Sequence, residues 1–298
     1  MKRTMNTSRE QPLVSVGMPF YNGGQDTRAA IESIVTQTYR NLEIIISDNG
    51  STDETESICR EYAAKDPRIT YFRSPVNLGP TPNFQKVLYS STGEFFMWAA
   101  HDDVCEPEFI EANLKELLRD PKVVCSMSQA VLFDGKTRSM AGVFNPAGTY
   151  PLMSTSRASN IFKYLFLPGL NARFYGVWRR EVVLKTMEWE EFCSADVAFI
   201  ARALVHGKIA EVKRPLWTRG GLGVSSNSLR MLTIGERSVV DRLMPLNRFN
   251  QNLLRIKEIR QSPVLLAALT ILNLYFCGWK YKTLAVHYLK RLLGESRP

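Results

Sequence analysis

Residues 42–54 read Leu-Glu-Ile-Ile-Ile-Ser-Asp-Asn-Gly-Ser-Thr-Asp-Glu, and this stretch decides the fold. Leu42 to Ser47 is a short β-branched run of the kind that fills a strand buried on both faces. Ser51-Thr-Asp-Glu54 follows with capping-box spacing, which predicts a helix from near Thr52 to about Lys65. The alternation continues on either side. Leu13 to Met18, closed by Pro19, predicts a buried strand. Asp26 to Thr38 sets Ala30, Ile31, Ile34 and Val35 on one helical face. Ile69 to Arg73 reads as a third strand, Thr81 to Ser90 as a helix and Glu94 to Ala99 as a fourth strand. This rhythm gives βαβ units and a mostly parallel sheet flanked by helices, the α/β class. Ligands of such sheets lie outside the carboxyl ends of the strands. Chemistry is therefore expected just after Met18, Ser47, Arg73 and Ala99.

The second half is less regular. A helix is predicted over Pro107–Arg119 and a strand over Val123–Met127. Residues 133–150 dissolve into Gly, Pro, Ser and Asn and read as a loop or hairpin covering the site. A helix near Ala158–Phe166 stops at Pro168-Gly169. Ala172–Trp178 reads as a strand, Ser194–His206 as a helix stopped by Gly207, and Ile209–Val212 as a strand. Past Ser228 the pattern is helical, with Pro263 the main break. Residues 1–11 are polar, lack the apolar core of a signal peptide and read as a disordered lead-in.

Composition narrows the function classes. The chain has 298 residues, 45% of them apolar, and a net charge of +9. That charge suits an anionic partner, whether nucleic acid, acidic lipid or a phosphorylated ligand, and equally a solvated basic surface. The basic residues are dispersed, with no helix-turn-helix, zinc finger or RNP-like strand, so no nucleic-acid partner is expected. The five cysteines, at 59, 105, 125, 193 and 277, form no CxxC pair. Their odd number and spacing exclude a zinc site and a disulfide framework and fit a reducing, cytoplasmic compartment.

The strand ends carry the candidate residues. Pro19-Phe-Tyr-Asn-Gly-Gly24 reads as a tight, open turn with free backbone N–H groups, in which Tyr21 can stack on a planar base. Asp48 can accept from a uracil imide or a ribose hydroxyl; Asp53 reads as a helix cap. His101-Asp102-Asp103 follows the fourth strand. Adjacent carboxylates repel, and a divalent cation resolves that repulsion; hard Mg2+ or Mn2+ takes one or two carboxylates plus phosphate oxygens and water. The same pair also fits a plain helix start.

The order PFYNGG, SDNGSTDET, NLGPTPNF and STGEFFMWAAHDD resembles the family 2 glycosyltransferases, and the resemblance covers residues 12 to about 225. It implies a GT-A-type, Rossmann-like fold over residues 12–227, with a nucleotide-binding half (12–104), an acceptor-side half (105–227) and a helical C-terminal extension (228–298). It implies inverting, metal-dependent, non-processive transfer of a sugar from a nucleotide-sugar, UDP-sugar first, to a glycan or lipid-linked acceptor. The setting it implies is cell-surface polysaccharide or glycoconjugate synthesis. Pro19 and Tyr21 resemble the family's base-stacking turn and Asp48 its uracil-contacting acid. Asn49 stands where a second acid is usual. Asn77 and Gly79 resemble its NxG segment beside the nucleotide. Asp103 is expected to hold Mn2+ or Mg2+ with Asp102, which also faces the ribose or sugar. Ala100 replaces the first acid of that motif, and His101 stands at its variable position. Asp196 fits the general base, with Glu190 and Glu191 as rivals and a plain first-turn acid as the alternative. Arg219 resembles the family's diphosphate-clamping arginine.

Residues 262–279 contain no charge, are flanked by basic residues on both sides and are rich in aromatics. Residues 262–298 therefore suit peripheral contact with the inner face of the membrane; a core helix or a homodimer seam fits the same pattern. Two other readings compete with transfer. A sugar nucleotidyltransferase wants a GxGxR-type loop that PFYNGG does not supply. A non-catalytic nucleotide-sugar-binding protein tolerates the loss of an acid at Ala100.

Overall fold

The computed structural model describes residues 11–134, 139–140, 150–167, 171–188, 194–220, 246–267, 269–271 and 274. Most of the expected loop or hairpin at 133–150, the rival acids Glu190 and Glu191, and most of the helical stretch past Ser228 lie outside the described residues; at its start, Phe133 and Asp134 pair antiparallel with Met140 and Ser139.

The first half follows the alternation. Strand β1 (Val14–Phe20) is buried along its length, and β2 (Leu42–Asp48), β3 (Ile69–Arg73) and β4 (Phe95–Trp98) flank it in parallel, in the order β3-β2-β1-β4. The connecting helices are α1 (Asp26–Val35), α2 (Thr55–Lys65) and α3 (Pro80–Tyr89). The register sets Phe20 beside Asp48 and Asp48 beside Arg73, so three strands end in one row.

The second half continues the same sheet with mixed polarity. It comprises β5 (Val104–Cys105), α4 (Phe109–Arg119), β6 (Val123–Asp134), β7 (Ser139–Met140) and α5 (Arg157–Phe166). These are followed by β8 (Val177–Arg179), α6 (Arg180–Thr186), α7 (Ala195–His206) and β9 (Lys208–Arg219). Beyond β4 the order is β8-β6-β9-β5. β8 is antiparallel to both β4 and β6, β9 is parallel to β6, and β5 closes the edge antiparallel to β9.

Three expectations change here. Ala172–Trp178 is a 3-10 turn over Asn171–Tyr175 followed by the short β8. β6 and β9 are both longer than Val123–Met127 and Ile209–Val212. The end of β9 escaped the pattern because Lys213, Arg214 and Pro215 are exposed and interrupt its apolar run, while β6 pairs with it through register irregularities.

Helices cover both faces. On one face Ile31, Ile34, Ile58, Phe109 and Leu114 pack on Val16, Met18, Ile44 and Met97. On the other, Val87, Ile161, Val183, Phe199 and Leu204 pack on Ile45, Phe96, Trp98 and Trp178. Two further helices, α8 (Asn247–Leu253) and α9 (Lys257–Arg260), join this second face through Phe249, Leu253 and Ile259. Leu265 and Leu269 are buried there too, whereas Val264, Ile271 and Leu274 are exposed. The buried Arg202 of α7 pins this addition: its Nε donates to the Thr186 carbonyl at 2.7 Å and its guanidinium to Asn252 of α8.

At the amino ends of the central strands, Glu43 gathers donors from three residues: the Ser15 hydroxyl, the Thr92 amide and hydroxyl, and the Gly93 amide at 3.0 Å. Burial pushes its carboxyl up, but these hydrogen bonds outweigh burial and hold it below the usual carboxylate range. Its stabilisation is thus present above the unfolded value, about 4.3, and is lost as pH falls from there through the lower folded value. Glu43→Gln should cost about 1–2 kcal/mol in urea unfolding at pH 7. The gap to wild type should close as pH falls below about 4; a gap that is unchanged at pH 3 contradicts this account.

Candidate active site at the carboxyl ends of the strands

The row formed by Phe20, Asp48 and Arg73 opens the site. Asp48 has no exposed surface. Its Oδ1 accepts the Ser51 amide at 2.9 Å, and its Oδ2 accepts the Tyr71 hydroxyl at 3.1 Å and the Arg73 guanidinium. Arg73 also donates to the Ser51 carbonyl at 3.0 Å and pairs with Glu56 at 3.0 Å. Burial, reinforced by the Asp48 charge, pushes the Tyr71 phenol up and keeps it a donor. A carboxylate has about four lone-pair sites, so these bonds leave Asp48 one acceptor position. Tyr71 and Arg73 were not singled out from sequence. The available signal was Arg73's place at the end of the third strand, level with Asp48.

The turn after β1 differs from expectation. Pro19 lies inside the strand and is buried, because the ladder runs on past it: the Asn49 amide donates to the Phe20 carbonyl at 2.9 Å. Tyr21 remains exposed at 41%. The amides expected to be free are spent. Asn22 donates to Ser51 Oγ at 2.9 Å, Gly23 to Thr55 Oγ1 at 3.0 Å and Gly24 to Asp53 Oδ2 at 2.8 Å. The capping box therefore does not form; Ser51 is drawn to the β1 turn and α2 begins later, at Thr55. Asp53 keeps a structural role, accepting the Thr55 amide at 3.0 Å.

Asn49 organises the next segment. Its Nδ2 donates to Asn77 Oδ1 and to the Gly79 carbonyl, each at 2.8 Å, and its Oδ1 accepts the Leu78 amide at 3.0 Å. Asn77 Oδ1 also takes the Gly79 amide at 2.8 Å. Gly79, at φ +88°, then turns the chain into α3. Asn77 and Gly79 are thus fixed beside Asp48 by the residue that stands where a second acid is usual.

β4 leads into the acidic turn. Asp103 is only 6% exposed, and its Oδ1 accepts the Gly220 amide at 3.2 Å. Burial first, then the neighbouring Asp102 charge, push its carboxyl up to about 8, against the pull of that amide and of Arg219. β9 presses on this turn: a Cβ on Gly220 would lie 1.8 Å from the Asp102 carbonyl oxygen, so only glycine fits. The pairing of Val104 with Thr218 carries Arg219 up beside Asp103. His101 packs edge-on against Phe20 at 6.4 Å and lies against Gly23.

Does this turn suit Mg2+ or Mn2+? Among the described residues no group of three His, Cys, Asp or Glu could hold an ion. The protein offers two adjacent carboxylates, one of them buried and short of positive charge. That donor set fits a hard cation completed by phosphate oxygens and water, and does not fit an all-protein cage.

On the far side Asp196 stands exposed in the first turn of α7, its Oδ1 accepting the Val197 amide at 2.9 Å. The helix starts from Ser194, held at φ +63°. Tyr175 lies between the two ends: its phenol is pushed up by burial and then by the charges of Asp103, Asp102 and Asp196, against Arg219. Its ring stacks on Trp217 at 5.7 Å. The Tyr175–Trp217 stack lies two residues before Arg219, and the adjoining Phe174 meets Phe199 of α7 at 5.9 Å, so one aromatic pair that the sequence did not single out links the Asp103 end to the helix that carries Asp196.

A model of glycosyl transferase family 2 matches residues 15–167, which is 153 of the 298. The chain belongs to glycosyl transferase family 2. An uncharacterized glycosyltransferase of Rickettsia typhi is 37% identical over 138 residues, 46% of this chain and 42% of that protein. Glycosyltransferase GlyA of Streptococcus pneumoniae is 32% identical over 105 residues, 35% of this chain and 15% of that one. The matches thus span less than half the length of these relatives. Among solved structures, the mannosyltransferase PcManGT of Pyrobaculum calidifontis, in complex with GDP-Man and Mn2+, superposes with a TM-score of 0.59 at 17% identity, over 94% of this chain and 76% of that one. TarS 1-349 of S. aureus, in complex with UDP-GlcNAc, gives 0.56 at 16% identity, over 83% and 73%. At such identities the likeness is one of fold, and the fold is GT-A.

In this family 2 chain the Asn49 amide cannot be exchanged for a carboxylate without setting it against two acceptors. Asn49→Asp should force Asn77 to turn over and release the Gly79 amide, whose hydrogen exchange should speed up by about tenfold or more. Unchanged Gly79 protection in the variant rules out this lock.

Proposed function

We propose that the chain transfers a glycosyl group, with inversion, from a nucleoside-diphosphate sugar to a hydroxyl of a glycan or lipid-linked acceptor, with a UDP-sugar the preferred donor. The observation that carries this reading is the buried Asp103 carboxyl, set between Asp102 and Arg219 at the strand ends, with Asp196 across the cleft. Nucleotide-sugar complexes of two GT-A neighbours support it, as does a glucosyl-3-phosphoglycerate synthase of Mycobacterium tuberculosis with Mn2+ and UDP, at TM-score 0.51.

The residues divide the work. The nucleoside lies along the row of Tyr21, Arg73 and the Asn77–Gly79 loop, with Asp48 holding Arg73 and keeping one acceptor position for the base. Pro19 acts from within β1, shaping the turn that presents Tyr21. Asp102 and Asp103 would hold Mg2+ or Mn2+, and Asp102 would also serve the ribose or sugar. The cation, when bound, neutralises charge on the leaving diphosphate. Arg219 meets the same charge with a fork of N–H donors. Asp196 accepts the proton of the acceptor hydroxyl as its oxygen bonds to the anomeric carbon and the bond to the diphosphate breaks. Each carbon–oxygen bond made is matched by one broken, and the configuration inverts.

Among the described residues no helix is long and apolar enough to cross a membrane. We place the enzyme in the cytoplasm at the inner face of the membrane, touching it through residues 262–298, whose described part exposes Val264, Ile271 and Leu274. Cell-surface polysaccharide or glycoconjugate synthesis is the setting this implies. The engaged amides of Asn22, Gly23 and Gly24 count against a sugar nucleotidyltransferase, which needs such amides for phosphate.

A donor panel tests the reading: thermal shift with UDP-, GDP-, dTDP- and CMP-sugars, with and without Mn2+. One class should raise the midpoint, and more so with Mn2+; no shift with any of them sinks the proposal. With the donor found, Asp103→Ala should abolish the Mn2+ response. Asp196→Asn should bind donor normally and transfer at least about 10²-fold more slowly; an equal loss of binding assigns Asp196 a structural role instead.

A further inference from the structure

Tyr175 closes the 3-10 turn Asn171–Tyr175, and its ring is clamped on two sides. It stacks on Trp217 with centroids 5.7 Å apart and planes 23° from parallel, and meets Phe174 edge-on at 5.3 Å. Trp217 pairs with Cys105 two residues beyond Asp103, so the clamp is built from the strand that also delivers Arg219. The ring is therefore fixed in direction, and fixing it serves the packing. The hydroxyl serves nothing visible in the fold: it makes no hydrogen bond to a described residue, and it is not sealed in as a buried orphan. The residue is half-buried, so the hydroxyl is open to a ligand entering between the strand ends.

Its surroundings say where the missing partner comes from. The charges that act on the phenol are those of Asp103, Asp102, Arg219 and Asp196. In an inverting displacement the leaving diphosphate, the anomeric carbon and the attacking oxygen lie in line. The diphosphate belongs at Asp102, Asp103 and Arg219, and the attacking oxygen at Asp196. Tyr175 stacks on Trp217, two residues before Arg219, and its neighbour Phe174 meets Phe199, one helical turn beyond Asp196, at 5.9 Å, so the ring lies between these two ends, alongside the sugar. Asp102 and Asp196 accept when ionised, Asp103 is assigned to the cation and Arg219 to the diphosphate; a neutral phenol is the donor left for a sugar oxygen.

We propose that Tyr175 is a specificity-determining residue whose hydroxyl donates a hydrogen bond to a hydroxyl oxygen of the transferred sugar. This rests on the glycosyl-transfer reading above. Tyr175 orients the sugar so that its anomeric carbon faces Asp196, and it discriminates against donors lacking that hydroxyl.

The test uses the full chain and Tyr175→Phe, which keeps the ring and its stacking. Two ligands are titrated with Mn2+: UDP alone, and the UDP-sugar that wild type turns over, with GDP and its sugar if the panel selects guanine. The variant should bind the nucleoside diphosphate within about twofold of wild type, while kcat/KM for the sugar donor falls about tenfold, the scale of one neutral hydrogen bond. Single-deoxy donors then locate the contact. For one of them wild type should lose that same factor and Tyr175→Phe should lose nothing further. Unchanged donor kinetics in the variant, or equal losses for the nucleotide and the sugar donor, overturn the proposal and leave the transferase reading intact. Failure of wild type to bind any nucleotide-sugar removes both.

Discussion

The packing around Trp98 is the constraint on which the rest depends. Trp98 ends β4 with no exposed surface. Phe174 stacks on it at 4.6 Å, Phe96 meets it edge-on at 4.8 Å and Phe199 at 6.2 Å. Each partner stands next to a chemical segment: Trp98 runs into the Asp102-Asp103 turn, Phe174 precedes Tyr175, and Phe199 is one helical turn beyond Asp196. Aromatic pairs of this kind contribute about 0.5–1.5 kcal/mol each beyond burial. Their larger effect is geometric, because a close-packed cluster fixes the distances between the segments that radiate from it. A displacement reaction is sensitive to misplacement on the order of 1 Å, and here the spacing is set by rings rather than by loops.

The two ends of the site handle buried negative charge in opposite ways. Asp48 is compensated from within, by Arg73, Tyr71 and the Ser51 amide. Asp103 has one amide, and Arg219 in reach, against burial and a second acid beside it. The first arrangement is finished when the chain folds. The second is left short of compensation, and its carboxyl holds its proton up to about 8.

The parallel half was legible in the sequence because fully buried strands and amphipathic helices leave strong local patterns there. Its boundaries moved where tertiary bonds overrode local ones. Ser51 has ideal spacing for a cap, but the Asn22 amide across the turn claims its oxygen. Pro19 reads as a strand terminator, yet the ladder continues around it. Asp48, Asp102, Asp103 and Asp196 could be picked out because carboxylates at strand or helix ends are visible locally. Tyr71, Arg73 and Tyr175 could not, since their significance lies in register and in stacking across the sheet. β9 hid its length for a related reason: an edge-side stretch with Lys213 and Arg214 carries no apolar signature.

The sheet runs without interruption from β3 to β5, through the antiparallel joint between β4 and β8. Both ends of the site are therefore cut from one piece, and among the described residues no hinge separates them. In the transfer proposed above, the exclusion of water falls to chain segments leaving the strand ends, or to the substrates themselves. Exchanging a connection on one side leaves the other wall in place, so the two sides can evolve separately.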